Sequence, residues 1–161
     1  MSNRNTQRLR QNETPVLRQR SSRFVEIFRT TPPRTICPNF FVLAHANGCG
    51  FNPMCTYCYL RSHFSVPARG VAFSNTGKLL EEVRKWIATD DLESYVLNSG
   101  NLCDSLVFEE NRPVVNSLID TFREDAADRP HCLLIVTKGG LKECRVFFEN
   151  DPCDRVIISF S

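Results

Sequence analysis

The chain has 161 residues, 42% hydrophobic and 24% charged, with a formal net charge of +2. That length suits one domain with its own core, the composition excludes a disordered chain, and no apolar run approaches the roughly 20 residues of a membrane-spanning helix. The near-neutral total hides an uneven distribution: Arg4, Arg8, Arg10, Arg18, Arg20, Arg23, Arg29 and Arg34 crowd the first segment against only Glu13 and Glu26.

Residues 1–35 are polar, Arg-rich and broken by Pro15, Pro32 and Pro33, which reads as a flexible arm or a loosely docked extension. Guanidinium groups on such an arm can pair with the phosphates of DNA or RNA, and the competing reading is a solvated tail. The opening MSNRNTQRLRQ has no apolar signal-peptide core. A cytoplasmic location is expected, where thiols stay reduced and eight cysteines need an explanation other than disulfides.

From residue 36 the pattern becomes α/β. Phe40 to Ala44 is an apolar run too short for a helix and bounded by Pro38 and Gly48, hence a buried strand. A cysteine-rich loop follows. In KLLEEVRKWIA, Leu79, Leu80, Val83, Trp86 and Ile87 recur at helical spacing. Next come a strand at Ser94 to Leu97, the polar loop NSGNLCDS, a helix from Pro113 to Phe122 with proline in its first turn, and the strand CLLIVTKGG. A short helical piece near Leu141 to Phe148 precedes a fourth strand, Arg155 to Phe160. Strands alternating with helices predict a parallel sheet with right-handed crossovers. Polar residues collect after the strands: His45 and Asn47, Asn98 and Ser99, Thr137 and Lys138, Ser159 and Ser161. In α/β barrels the chemistry sits on that rim. With no helix after the fourth strand, a barrel would be left open at an exposed edge, so a truncated chain is expected.

The segment ANGCGFNPMCTYCYLRSHF sets Cys49, Cys55 and Cys58 in a C-x5-C-x2-C pattern directly after the first of these strands. Three thiolates on one loop can hold an iron–sulfur cluster and leave one iron open to a small molecule. The same spacing suits zinc with His63 or Cys37 as fourth ligand, although a second C-x2-C pair is missing. Cys132 reads as a core residue, Cys144 and Cys153 as packing or surface positions, and Cys103 as a member of a rim loop. His45 can contact a ligand or serve as a structural hydrogen-bonder.

At these residues the sequence resembles the radical-SAM superfamily and, within it, spore photoproduct lyase-like proteins. VLAHANGCGFNPMCTYCYL is similar to the cluster-binding segment, LNSGNLCDSL to the second-strand loop with its Asp, IVTKGG to the Thr-Lys strand end, and VIISFS to the strand closing on a Ser. The resemblance implies a partial (β/α) TIM-type barrel, with residues 36–161 as its N-terminal portion, truncated after about the fourth strand. It further implies a 4Fe–4S cluster on Cys49, Cys55 and Cys58, and reductive cleavage of S-adenosylmethionine to a 5′-deoxyadenosyl radical. Tyr57, Tyr59, Ser99, Asp104, Lys138 and Ser161 would lie at the cofactor, and Cys103 would be the candidate catalytic thiol. Flavodoxin or ferredoxin would supply electrons, and nucleic acid is the implied substrate class. The chain departs from the family in two places: the usual cluster spacing is C-x3-C-x2-C, and the family's hydrogen-donating cysteine corresponds to Asn101 here. The alternative is a non-catalytic zinc module with an Arg-rich nucleic-acid-binding arm.

Overall fold

The computed structural model describes residues 14–29, 39–51, 55–58 and 70–160. Among these, eight strands form two sheets. Strands β1 (Val16–Arg18), β4 (Ala46–Asn47) and β5 (Val71–Phe73) make a small sheet ordered β1-β5-β4. The larger sheet is ordered β2-β3-β6-β7-β8, from β2 (Val25–Phe28), β3 (Phe40–Leu43), β6 (Val96–Ser99), β7 (Cys132–Thr137) and β8 (Val156–Phe160). Strands β3, β6, β7 and β8 run parallel in sequence order, as the alternating pattern predicts, while β2 adds antiparallel to β3.

Helix α1 (Thr76–Ile87) buries Leu79, Val83, Trp86 and Ile87, a four-residue stripe at helical spacing. Helix α2 (Arg112–Asp125) carries proline in its first turn, where the missing N–H costs nothing, and buries Val114, Val115, Leu118, Ile119 and Phe122. The short α3 (Val146–Glu149) continues a 3-10 turn at Glu143–Arg145. These elements pack on one face of the large sheet, joining Leu43, Leu97, Leu133 and Ile135 in a single core with Phe24 at its end.

Alternation along the strands places the other set of side chains on the opposite face. Register aligns Glu26 with Val42, Val42 with Asn98, Asn98 with Leu134, and Leu134 with Ile157 across it. Phe28, Phe40, Val42, Leu134 and Val136 on that face are only partly buried, and Ile157 is exposed. The described sheet is therefore open, with β2 and β8 at its edges and no closed barrel among the described residues.

Residues 14–29, expected to belong to a flexible arm, instead contribute β1 and β2. The segment between them is held to the start of α1 by specific bonds. Asn75 receives the Arg20 amide on Oδ1 (2.9 Å) and donates Nδ2 to the Arg20 carbonyl (3.0 Å). Lys78 Nζ donates to the carbonyls of Arg20, Ser21 and Ser22 (3.3, 2.8 and 2.8 Å), and Glu82 accepts the amides of Phe24 and Val25. Arg20 pairs with Glu26 (3.5 Å) and lies over the Phe73 ring, and Arg29 pairs with Glu93 (3.2 Å). These two arginines thus serve the fold, which the crowding of charge in the sequence did not reveal. The remainder of the expected arm lies outside the described residues.

Candidate functional site

The chain leaves β3 at its C-terminal end, and there the described parts of the cysteine loop begin. Gly48, at φ 82°, makes the turn that L-residues avoid, and its amide donates to the Leu102 carbonyl (2.9 Å). The loop after β3 is thereby fixed to the loop after β6. Cys49, Cys55 and Cys58 are free and partly buried, and the Cys58 amide closes a turn on the Cys55 carbonyl (3.1 Å).

Burial pushes the Cys49 thiol above its ordinary range; a hydrogen bond from the Phe51 backbone opposes this, and the charges of Asp104, Cys58 and Cys55 add to it. The Cys49 thiol therefore lies within electrostatic reach of Cys55 and Cys58. Ionising Cys49 is therefore unfavourable without a cationic partner to take up the charge. Cysteine thiolates are the ligands that iron–sulfur clusters take. Among the described residues no three His, Cys, Asp or Glu side chains converge as a group that could hold a metal ion. His63 and Cys37, the fourth zinc ligands weighed from the sequence, lie outside the described residues, as do Tyr59 and Ser161.

The loop from Ser99 to Leu106 links three strand ends. Gly100 has φ 113°, and a Cβ there would stand 2.7 Å from Ser105 Oγ. Ser105 Oγ donates to the Ser99 carbonyl (2.5 Å) and lies 3.0 Å from Ser99 Oγ, which also donates to the Leu134 carbonyl (3.3 Å). The Ser105 amide donates to the Val136 carbonyl (3.1 Å), tying the loop to β7. Ser99, expected at the cofactor, is 2% exposed, and its hydroxyl is engaged within this knot.

Asp104 is the other tie. Oδ1 accepts the Leu106 amide and Thr137 Oγ1, both at 2.9 Å, and Oδ2 accepts the Lys138 amide at 2.6 Å. Thr137 Oγ1 in turn accepts the Gly139 amide (2.9 Å). Lys138 Nζ lies 5.7 Å from the centroid of the Tyr57 ring, between Cys55 and Cys58 in sequence. Tyr57 is 75% exposed, so the lysine head and the ring meet at the surface of the site.

Cys103 is buried among Ala46, Val107, Phe108 and Phe51, with Sγ 4.0 Å from His45 Nε2. Burial raises its thiol far above the ordinary range, and the charges of Asp104 and Cys49 add to that, so the group stays protonated. His45, also buried, has Nε2 3.4 Å from the Ser105 carbonyl, the contact of a structural histidine, and burial holds its pKa below the ordinary imidazole value. Beside this rim a cleft of about 160 Å³ opens between Arg20, Glu26, Val42, Asn47 and Asn101. Sequence reasoning singled out neither that cleft nor the role of Gly48, since both depend on the packing of β2 and the β6 loop against β3.

No protein-family model matches this chain, and no curated protein matches it. Solved structures do. A cysteine-to-alanine mutant of spore photoproduct lyase superposes with a TM-score of 0.66 at 16% identity over 90% of this chain, and a tyrosine-to-phenylalanine mutant gives the same values. The cysteine mutant with dinucleoside spore photoproduct gives a TM-score of 0.64. This chain spans 38% of the length of those chains. At that identity the likeness is one of fold: an α/β arrangement in common with spore photoproduct lyase.

Proposed function

We propose that this chain is part of a radical-SAM enzyme of the spore photoproduct lyase kind, with residues 36–161 forming the first portion of a TIM-type barrel. Cys49, Cys55 and Cys58 would hold a 4Fe–4S cluster, and S-adenosylmethionine would bind beside it. When bound, the reduced cluster would supply the one electron that splits the cofactor's sulfonium into methionine and a 5′-deoxyadenosyl radical able to take a hydrogen atom from substrate.

The chain's own part is to bind and orient. Lys138 carries the fixed positive charge of the site and suits the cofactor's carboxylate. Tyr57 and Tyr59 would flank the cofactor, and Ser161 would contact its methionine portion. Cys103, held protonated in an apolar pocket, is the candidate catalytic thiol. The substrate would enter from the half-exposed sheet face and the cleft near Asn101. Nucleic acid is the class in keeping with the fold, since one of the solved structures carries a dinucleoside lesion. A flavodoxin or ferredoxin would deliver the electron in a reducing cytoplasm. No described helix is long and apolar enough to cross a membrane.

The observation that carries this reading is the placement of Lys138 against Tyr57, inside the C-x2-C turn, on a sheet with the spore photoproduct lyase fold. Iron and acid-labile sulfide analysis of protein purified without oxygen tests it. About four irons per chain, lost in Cys55→Ala, are expected; a colourless protein with one zinc per chain would support the zinc-module alternative instead.

A further inference from the structure

We infer that Asp104 is a positioning residue that acts through Lys138, an inference that rests on the proposed function. The resemblance places Asp104 among the groups that touch the cofactor. Its carboxylate, however, already accepts three protein donors: the Leu106 amide, the Thr137 hydroxyl and the Lys138 amide. Two of these come from the end of β7, more than thirty residues away, so the side chain bridges the β6 loop and the β7 terminus.

The bond to the Lys138 amide, at 2.6 Å, is the shortest of the three and fixes the residue whose Nζ reaches the Tyr57 ring. Its neighbour Gly139 is held the same way through Thr137 Oγ1, and a Cβ at Gly139 would stand 2.6 Å from Glu143 Cβ, so the turn after β7 has little room to relax. A charge-assisted hydrogen bond from a backbone amide is stronger than a neutral one, and its loss leaves a donor without its acceptor. Asp104 therefore sets where the lysine's stem begins, and through it where the site's positive charge lies relative to the cysteine loop.

The test uses Asp104→Asn, which keeps the shape but turns an NH2 group toward the Lys138 amide or, flipped, toward the Leu106 amide and the Thr137 hydroxyl. Hydrogen exchange on the whole chain, before any reconstitution, reads the positioning directly: amides 138–140 should exchange at least about tenfold faster. Isothermal titration of S-adenosylmethionine into anaerobically reconstituted protein reads the consequence. Affinity should fall roughly tenfold in Asp104→Asn, the order expected for one charge-assisted bond, and should not fall further when Asp104→Asn is added to Lys138→Met. Thr137→Val, which removes one donor to the carboxylate, should shift exchange in the same direction, and Thr137→Ser should restore it; this pair carries the test should Asp104→Asn not fold.

Unchanged exchange at 138–140 would overturn the inference regardless of cofactor. An equal loss of affinity in the Lys138→Met background would overturn it too, showing that Asp104 meets the cofactor itself. Faster exchange in a protein whose wild type binds no S-adenosylmethionine would uphold the positioning of Lys138 and refute the proposed function.

Discussion

Gly100→Ala is the perturbation whose cost the structure fixes most tightly. At φ 113° the residue lies in backbone space essentially reserved for glycine, so an alanine there is strained by of order 1–3 kcal/mol. Its Cβ would also meet Ser105 Oγ at 2.7 Å, with the Cys103 and Val136 carbonyl oxygens at 3.1 and 3.2 Å. Ser105 is 0% exposed and bonded to Ser99, so it moves only by leaving a buried hydroxyl unsatisfied, at about 1–3 kcal/mol. The two contributions together predict a destabilisation of about 4 kcal/mol, against the 5–15 kcal/mol that typically holds a domain together. Trp86, the single tryptophan and part of the core, reports the transition in urea. Gly77→Ala is the matched control: nothing lies within 4 Å of its Cβ position, and it should be neutral or stabilise α1 by up to about 1 kcal/mol. A Gly100→Ala protein within about 1 kcal/mol of wild type would refute the reasoning.

His131 is fully buried between Trp86 and Tyr95, at ring distances of 4.6 and 4.9 Å, and burial followed by the nearby Arg129 charge holds its pKa below the ordinary value, with Asp90 opposing. His45 is shifted the same way. A folded pKa below the unfolded value of about 6.5 means that both residues stabilise fully above that pH, and that this stability is lost as pH falls below it. Urea midpoints should therefore drop between pH 7.5 and 5.5, and His131→Phe, which keeps the ring packing, should flatten part of that slope. Lys78→Met removes three carbonyl bonds at the start of α1, and trypsin should then cut after Arg20 and Arg23 several-fold faster, with α1 and the core intact by circular dichroism. In the proposed enzyme, Cys103→Ala should leave iron content unchanged and abolish turnover of substrate; loss of the cluster in that variant would make Cys103 a ligand instead.

The larger sheet was legible because its four parallel strands are apolar runs separated by amphipathic segments, and α1 because Leu79, Val83, Trp86 and Ile87 repeat with helical period. Strand β6 runs Val96–Ser99, two residues later than the sequence placed it, because its pairing with β7 extends through the polar Asn98 and Ser99. Strands β1, β2 and β5 were missed, as was the two-residue β4. Each of the first three is three or four residues long, and β1 and β2 sit among arginines, so only their partners β5 and β3 make them strands. At the site, the cysteine spacing and the Thr-Lys strand end could be read directly. Asp104's bonds could not, since Thr137 and Lys138 lie 33 and 34 residues further along the chain. Nor could the burial of Ser99 and Cys103, which follows from the turn at Gly100 and no local pattern.

In the proposed enzyme three cysteines hold a cluster with one iron open to S-adenosylmethionine. Anaerobic reconstitution with iron and sulfide, then electron paramagnetic resonance of the reduced protein with and without S-adenosylmethionine, tests it most directly. The expected result is a reduced-cluster signal that changes on addition of the cofactor and disappears in Cys55→Ala. A protein that takes up no cluster and retains one zinc per chain would contradict it.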